Sequence, residues 1–283
     1  MTNEHIRGQV FTGERALFMS RDLHIEASMF ADGESPLKES RNIELVNTSF
    51  QWKYPLWYCK NIDVRDCSFF NMTRAGIWYV DNISLSHCLY EAPKGLRRVN
   101  HLKLDHVNFT QAAETLWNCS DIKMNDVTAR GDYFGMGCSN IKASNFNLVG
   151  NYSFDGCKNI EIHNAKMLSK DAFWNCENVT VYDSYISGEY IGWNSKNVTF
   201  INCMIESLQG FCYMENVVLR NCRLIHTTLA FEYSTVDAEV ISEIDSVKNP
   251  TSGKIKCQSI RELIFDDPNI SPSNTHIITN EAL

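Results

Sequence analysis

Asn159-Ile-Glu-Ile-His-Asn-Ala-Lys-Met167 is followed by Ala172-Phe-Trp-Asn-Cys176, and at Asn178 the pattern starts again. The same polar-apolar pair stands at Asn140-Ile141, Asn159-Ile160, Asn178-Val179, Asn197-Val198 and Asn216-Val217, a constant 19 residues apart. Upstream it returns at Asn42-Ile43, Asn61-Ile62, Asn82-Ile83, His101-Leu102 and Asp121-Ile122 with spacings of 19 to 21, and Asp22-Leu23 starts the series. A fixed period of this length marks a repeat architecture, in which each turn buries its apolar face against the next. Within a turn, apolar residues alternate over short stretches and never recur at helical spacing, so each turn is strand and bend.

Two positions per turn ask for a residue tolerant of positive φ. One carries Asn47, Asp66, His87, His106, Asp126, Asn145, Asn164, Asp183, Asn202 and Asn221; the other carries Asn118, Gly137, Gly156, Asn175 and Asn194. Asn, Asp, His and Gly enter the left-handed region most easily, so both columns read as corners. A left-handed hexapeptide coil would need multiples of six, and a leucine-rich repeat would need a helical segment in each turn. The pattern predicts an all-β, single-domain right-handed parallel β-helix of about eleven three-sided turns. It spans 22–234, with an N-terminal cap at 1–21 and with capping strands and a mobile tail at 235–283. The recurring Cys, eleven in all and none in a Cys-x-x-Cys pair, read as reduced, compact core residues.

The chain has 283 residues and a net charge of -8. That balance argues against nucleic acid or an anionic membrane as the main partner. Its N-terminus lacks the apolar core of a secretory signal and no stretch of 18 apolar residues occurs, which places the protein in the cytoplasm. No pair of the eight His has the local spacing of zinc ligands, and no phosphate-binding Gly loop is present, so neither a metal nor a cofactor is implied.

The residues just before the second corner should face solvent: Trp57, Trp78, Arg97, Trp117, Met136, Asp155, Trp174, Trp193, Cys212 and Glu232. Five of the six Trp therefore share one outward column, an apolar stripe of the kind that marks a binding surface. Flat indoles suit the C-H faces of sugar rings. Asp155, between Met136 and Trp174, sits where a raised pKa would suit a general acid. Asp132, Asp171 and Glu189 fall on the same side in neighbouring turns and could complete an acid/base pair. Arg97 and Arg98 offer guanidinium forks for a carboxylate or phosphate, or salt bridges to Glu91 or Glu114. Tyr133, Tyr152 and Tyr190 recur at one phase and could donate phenolic hydrogen bonds.

The phrases Trp52-Lys-Tyr-Pro-Leu-Trp-Tyr-Cys59, Ser169-Lys-Asp-Ala-Phe-Trp-Asn175 and Thr228-Leu-Ala-Phe-Glu-Tyr-Ser-Thr-Val-Asp237 resemble a bacterial family filed as a domain of unknown function. That family lies within the pectin-lyase-like right-handed β-helix superfamily, and the resemblance covers nearly the whole chain. The superfamily includes pectate lyases, polygalacturonases and uronate epimerases. Neither the calcium-ligand Asp pattern of the lyases nor the polygalacturonase signatures occur here, so no catalytic residue is carried over. The expected function is binding and processing of a short glycan or sugar derivative, by hydrolysis, elimination or epimerisation. Asp155, Asp132, Asp171 and Glu189 would serve as acids and bases. Trp57, Trp78, Arg97, Trp117, Trp174, Trp193, Tyr133 and Glu232 would bind the substrate. The alternatives are a non-catalytic glycan-binding module, or an assembly protein whose Trp stripe is covered by a partner or by its own copy.

Overall fold

The structure, a computed structural model, describes residues 4–280 and divides into two compact units, Met1–Asn147 and Leu148–Leu283. In the first unit the strands Glu4–Arg7, Arg21–Glu26, Arg41–Val46, Lys60–Arg65, Asp81–Tyr90, Asn100–Phe109 and Ser120–Arg130 stack in parallel. Ile25 pairs with Leu45, Leu45 with Val64, Val64 with Leu85 and Leu85 with Leu104. Side chains alternate across a strand, so this register piles like residues on like. A second ladder stacks Phe11, Phe30, Phe50, Phe69 and Tyr90, with ring centroids 4.8 to 4.9 Å apart. A third, short ladder joins Leu56–Trp57, Ile77–Trp78 and Leu96–Arg97, and a bridge continues it from Arg97 to Trp117.

The second unit repeats the scheme with Lys158–His163, Glu177–Tyr182, Lys196–Ile201, Glu215–Thr228, Thr235–Val240, Ser252–Cys257 and Thr275–Thr279. Ile162, Val181, Phe200, Leu219, Ala238, Ile255 and Ile277 stand in register. Met167, Ile186, Ile205 and Leu224 form its second apolar ladder. No helix among the described residues is long and apolar enough to cross a membrane. Both units are right-handed parallel β-helices, the hand that parallel crossover connections take.

The coil reaches past both of its expected ends, and the turns number about 15 rather than eleven. Glu4–Arg7 is not a separate cap but pairs with Leu23 to Glu26 as one more rung. At the other end Thr275–Thr279 pairs with Gly253 to Cys257, so the stretch expected to be a mobile tail is a strand. In sequence Asn3 and Asn274 stand at the marker phase of the two extensions but precede Glu4 and Thr275 instead of an apolar residue, and the register steps from Val217 to Val236, Gly253 and Thr275 depart from a constant period. Residues 1–3 and 281–283 of the expected terminal segments lie outside the described residues.

Every corner residue of the two expected columns has positive φ, from 46° at Asn47 to 68° at Gly156. The marker column itself, Asp22 through Asn216, is left-handed too, and its side chains hydrogen-bond from rung to rung. Asn61 Nδ2 donates to Asn42 Oδ1 at 2.9 Å, and Asn178, Asn197 and Asn216 donate down the second unit at 3.0 Å each. A further left-handed column runs through Tyr54, Ala75, Lys94, Glu114 and Tyr133 in the first unit. In the second it runs through Tyr152, Asp171, Tyr190, Gln209 and Leu229. This is the bend into the third side, and its mixed residue types hid it from the sequence.

All eleven Cys are free and buried. Burial pushes the thiols of Cys59, Cys67, Cys176 and Cys212 up to about 12, which leaves almost no thiolate at neutral pH. In the native protein at pH 8 none should react with a thiol-titrating disulfide reagent within minutes, whereas all eleven should react in denaturant. A fast-reacting native thiol would contradict this packing.

Candidate functional site

The bend column sets the geometry of the outward face. Three residues after each bend stands a member of the expected Trp column, while the residue before it, such as Leu56, Ile77, Phe154 or Phe173, is fully buried. Trp57, Trp78, Trp117, Trp174 and Trp193 are partly exposed, as the alternation demands. Each of the first four is also tethered. Trp78 Nε1 donates to the Lys94 carbonyl at 3.0 Å, and Trp117 and Trp174 donate to those of Tyr133 and Tyr190 at 2.8 Å. Trp57 donates likewise to Ala75.

These tethers lay the rings on one another. Trp57 and Trp78 stack at 5.2 Å with planes 5° apart, and the Arg97 guanidinium lies 4.6 Å from the Trp78 ring and 4.5 Å from that of Trp117. In the first unit, then, indole faces cover one another and turn edges to solvent. They do not form the open row of platforms expected for sugar rings. Arg97 is a layer of this stack, 3.6 Å from Glu114, and its Nε is buried without a partner. Arg97→Ala should cost about 2 kcal/mol, since it removes two cation–π contacts. Arg97→Lys should not restore them, because an ammonium cannot lie flat between two rings. Urea titration of the three proteins checks both statements; a loss below about 0.5 kcal/mol for Arg97→Ala would show that the stack contributes nothing.

Two members of the column are not exposed. Cys212 is fully buried, and Glu232 is 6% exposed beneath Lys248 Nζ at 3.2 Å and Gln209 Nε2 at 3.0 Å. The covering of Glu232 comes from Ile244–Lys248, which bridges back onto Ala230. Glu232 is thereby committed to an internal ion pair and is removed from the substrate-binding set.

The expected acids separate into different environments. Asp132 and Tyr133 are exposed residues of the first unit. In the second unit, Asp155 accepts a hydrogen bond from Asn175 Nδ2 at 2.8 Å, and Glu189 pairs with Lys170 Nζ at 2.8 Å. The burial expected for Asp155 lies at Asp171, which is 2% exposed. Asp171 occupies the bend column between Tyr152 and Tyr190 with φ 59°, its amide bonded to the Glu189 carbonyl at 2.8 Å. Its Oδ1 is buried with no hydrogen-bond partner. Burial raises its carboxyl above the ordinary carboxylate value; Glu189 adds to this, while the Lys170 charge and a hydrogen bond from Tyr152 oppose it. Trp174 stands three residues on. The preceding position of its column carries Asp155 and not an indole. Tyr152 meets Trp174 edge-on at 6.0 Å, and Trp193 lies 6.1 Å away, tilted by 33°.

A feature the sequence reading missed is a groove of about 660 Å³ in the first unit, lined by Asp32, Gln51, Trp52, Phe70, Met72 and Glu91. It holds the sixth Trp, with Lys53 Nζ over its ring at 5.2 Å.

No curated protein matches the chain in sequence. Among solved structures the coil is similar to a tailspike protein of E. coli bacteriophage HK620, at 10% identity over 97% of this chain and 73% of that one, with a TM-score of 0.50. It also resembles the surface adhesin PfbA of Streptococcus pneumoniae, at 7% identity over 92% and 81% with a TM-score of 0.43. A third is the A-module of the Azotobacter vinelandii mannuronan C-5 epimerase AlgE4, at 10% over 99% and 91% with a TM-score of 0.32. Of the three, the tailspike alone matches well enough to speak for the backbone path, and for nothing beyond it. A family profile described as "Protein of unknown function (DUF3737)" matches residues 4–278, and the chain belongs to that family.

Proposed function

We propose that the second unit binds a short glycan or sugar derivative against the part-exposed Trp174 and acts on it by acid–base chemistry, with Asp171 as the general acid. The observation that carries this reading is a nearly inaccessible carboxyl whose pKa burial raises, with one oxygen unpartnered, three residues from the part-exposed Trp174. A general acid must keep its proton until the leaving group needs it, and desolvation provides that. Asp155 and Glu189 are the candidate bases, one bonded to the Asn175 amide and one paired with Lys170. Tyr152 orients the acid. The Trp57 to Trp117 stack of the first unit is structural in this reading, because its faces are occupied.

The test is a screen of oligosaccharide mixtures read by mass spectrometry and NMR. Hydrolysis adds water, elimination splits the chain without it, and epimerisation leaves the mass unchanged. On any substrate turned over by the parent protein, Asp171→Asn should lose at least about 10²-fold in turnover and Trp174→Ala should bind weakly. Full turnover by Asp171→Asn would end the acid assignment. Retained binding with no parental turnover would leave a non-catalytic glycan-binding module.

A further inference from the structure

The local spacing of the His residues gives no sign of metal binding, but in a coil the relevant spacing is one turn. His5 and His24 stand directly opposite each other on the first two rungs, and Glu26 follows His24 on the same face of its strand. One ligand atom from each of His5, His24 and Glu26 lies within 4.8 Å of the other two. His5 Nε2 is already 3.5 Å from Glu26 Oε2, close to the ligand-to-ligand edge of about 3.4 Å that bonds near 2.1 Å give in a tetrahedral site.

A second observation sets this group apart from a chance surface cluster. His24 Nδ1 is held by Glu44 Oε2 at 2.7 Å, and Glu44 is itself fixed by Arg65. A ring nitrogen bonded to a carboxylate settles the tautomer and leaves the other nitrogen's lone pair for a metal, the arrangement that supports ligating His in metal sites. The rings of His5 and His24 meet edge to face at 4.6 Å, so small rotations close the set. The opposing contact is Arg7 Nε, 3.6 Å from Glu26 Oε2, which must yield when an ion binds.

We infer that His5, His24 and Glu26 form a binding site for one borderline divalent transition-metal ion of the zinc type, with Glu44 positioning His24. Two imidazoles and a carboxylate select such ions over magnesium or calcium, which need oxygen ligands. Three protein ligands leave at least one position for water or an added ligand.

The experiment is calorimetric titration of the full chain with zinc after chelator treatment, paired with cobalt substitution. One equivalent should bind, and the cobalt spectrum should lack the thiolate charge-transfer band that binding by a Cys would give. His5→Ala and His24→Ala should each weaken zinc at least tenfold, and Glu44→Gln should weaken it about tenfold or more while leaving all three ligands in place. The substituted side chains lie on the outer face of their strands, and circular dichroism verifies that each variant is folded. Affinity unchanged in both His variants, a thiolate band, or no binding below millimolar zinc would each overturn the site.

Discussion

Phe50→Ala is expected to destabilise the protein by about 4 kcal/mol and to lower its melting temperature by roughly 10 °C. Phe50 is fully buried, and its ring lies flat between Phe30 and Phe69, 4.9 Å from each with planes 1° and 9° apart. Truncation removes the apolar area, leaves a void between two rungs whose backbone hydrogen bonds hold them apart, and breaks two ring contacts worth about 0.5 to 1.5 kcal/mol each. In a stacked coil most stability resides in contacts between neighbouring turns, so the loss falls on both interfaces of one rung. Amide exchange should accelerate first at Ile43 to Val46 and Ile62 to Arg65. Phe50→Leu keeps most of the volume and should cost less than half as much. Denaturant titration decides: a loss below about 1 kcal/mol for Phe50→Ala would mean the ladder is loosely packed.

The sequence carries that ladder as an aromatic residue recurring every 19 to 21 positions, from Phe11 to Tyr90, a phase at which like residues stack on like. The same logic read the Asn corners, where residue type reports backbone conformation directly. It failed at the bend carrying Tyr54, Ala75, Lys94, Glu114 and Tyr133, all left-handed, because neighbouring rungs and not residue preference hold φ positive there. It failed again at the ends. Glu4–Arg7 and Thr275–Thr279 pair in register, but the Asn before each is followed by Glu4 or Thr275 and not by the apolar residue that completes the signal.

At the outward face, period two tells which side of a strand a residue takes but not how its ring lies. The exposure of Trp57, Trp78 and Trp117 could be read; their mutual stacking depends on indole hydrogen bonds to carbonyls of the next turn. Glu232 was misplaced because Ile244–Lys248, which covers it, shows no repeat signal, and Cys212 because its thiol turns inward onto the carbonyls of Gln209 and Gly210. Asp171 had a usable signal. The spacing of Tyr133, Tyr152 and Tyr190 leaves one vacancy in a 19-residue series, and Asp171 fills it.

Asp171→Asn should therefore divide two properties that a structural acid would lose together. Catalytic turnover should fall by about 10² to 10⁴, the usual contribution of a positioned general acid. Stability at neutral pH should rise by about 1 to 3 kcal/mol, because the variant no longer buries a carboxylate with an unpartnered oxygen. The backbone does not oppose the change, since Asn tolerates φ 59° as well as any side chain other than Gly. The sign of the pH dependence follows from the direction of the shift. The folded pKa of Asp171 lies above its unfolded value near 3.9, so below that value the acid is neutral in both states and costs nothing. As pH rises towards the folded pKa, the unfolded chain releases its proton first and the parent loses stability that the variant keeps. The melting-temperature gap between variant and parent should thus be small at pH 4, widen up to the folded pKa and stay constant above it. A variant less stable than the parent at pH 8 would make the carboxylate a structural anchor and remove Asp171 from the chemistry, whereas a more stable and still active one would leave the burial real and the acid elsewhere.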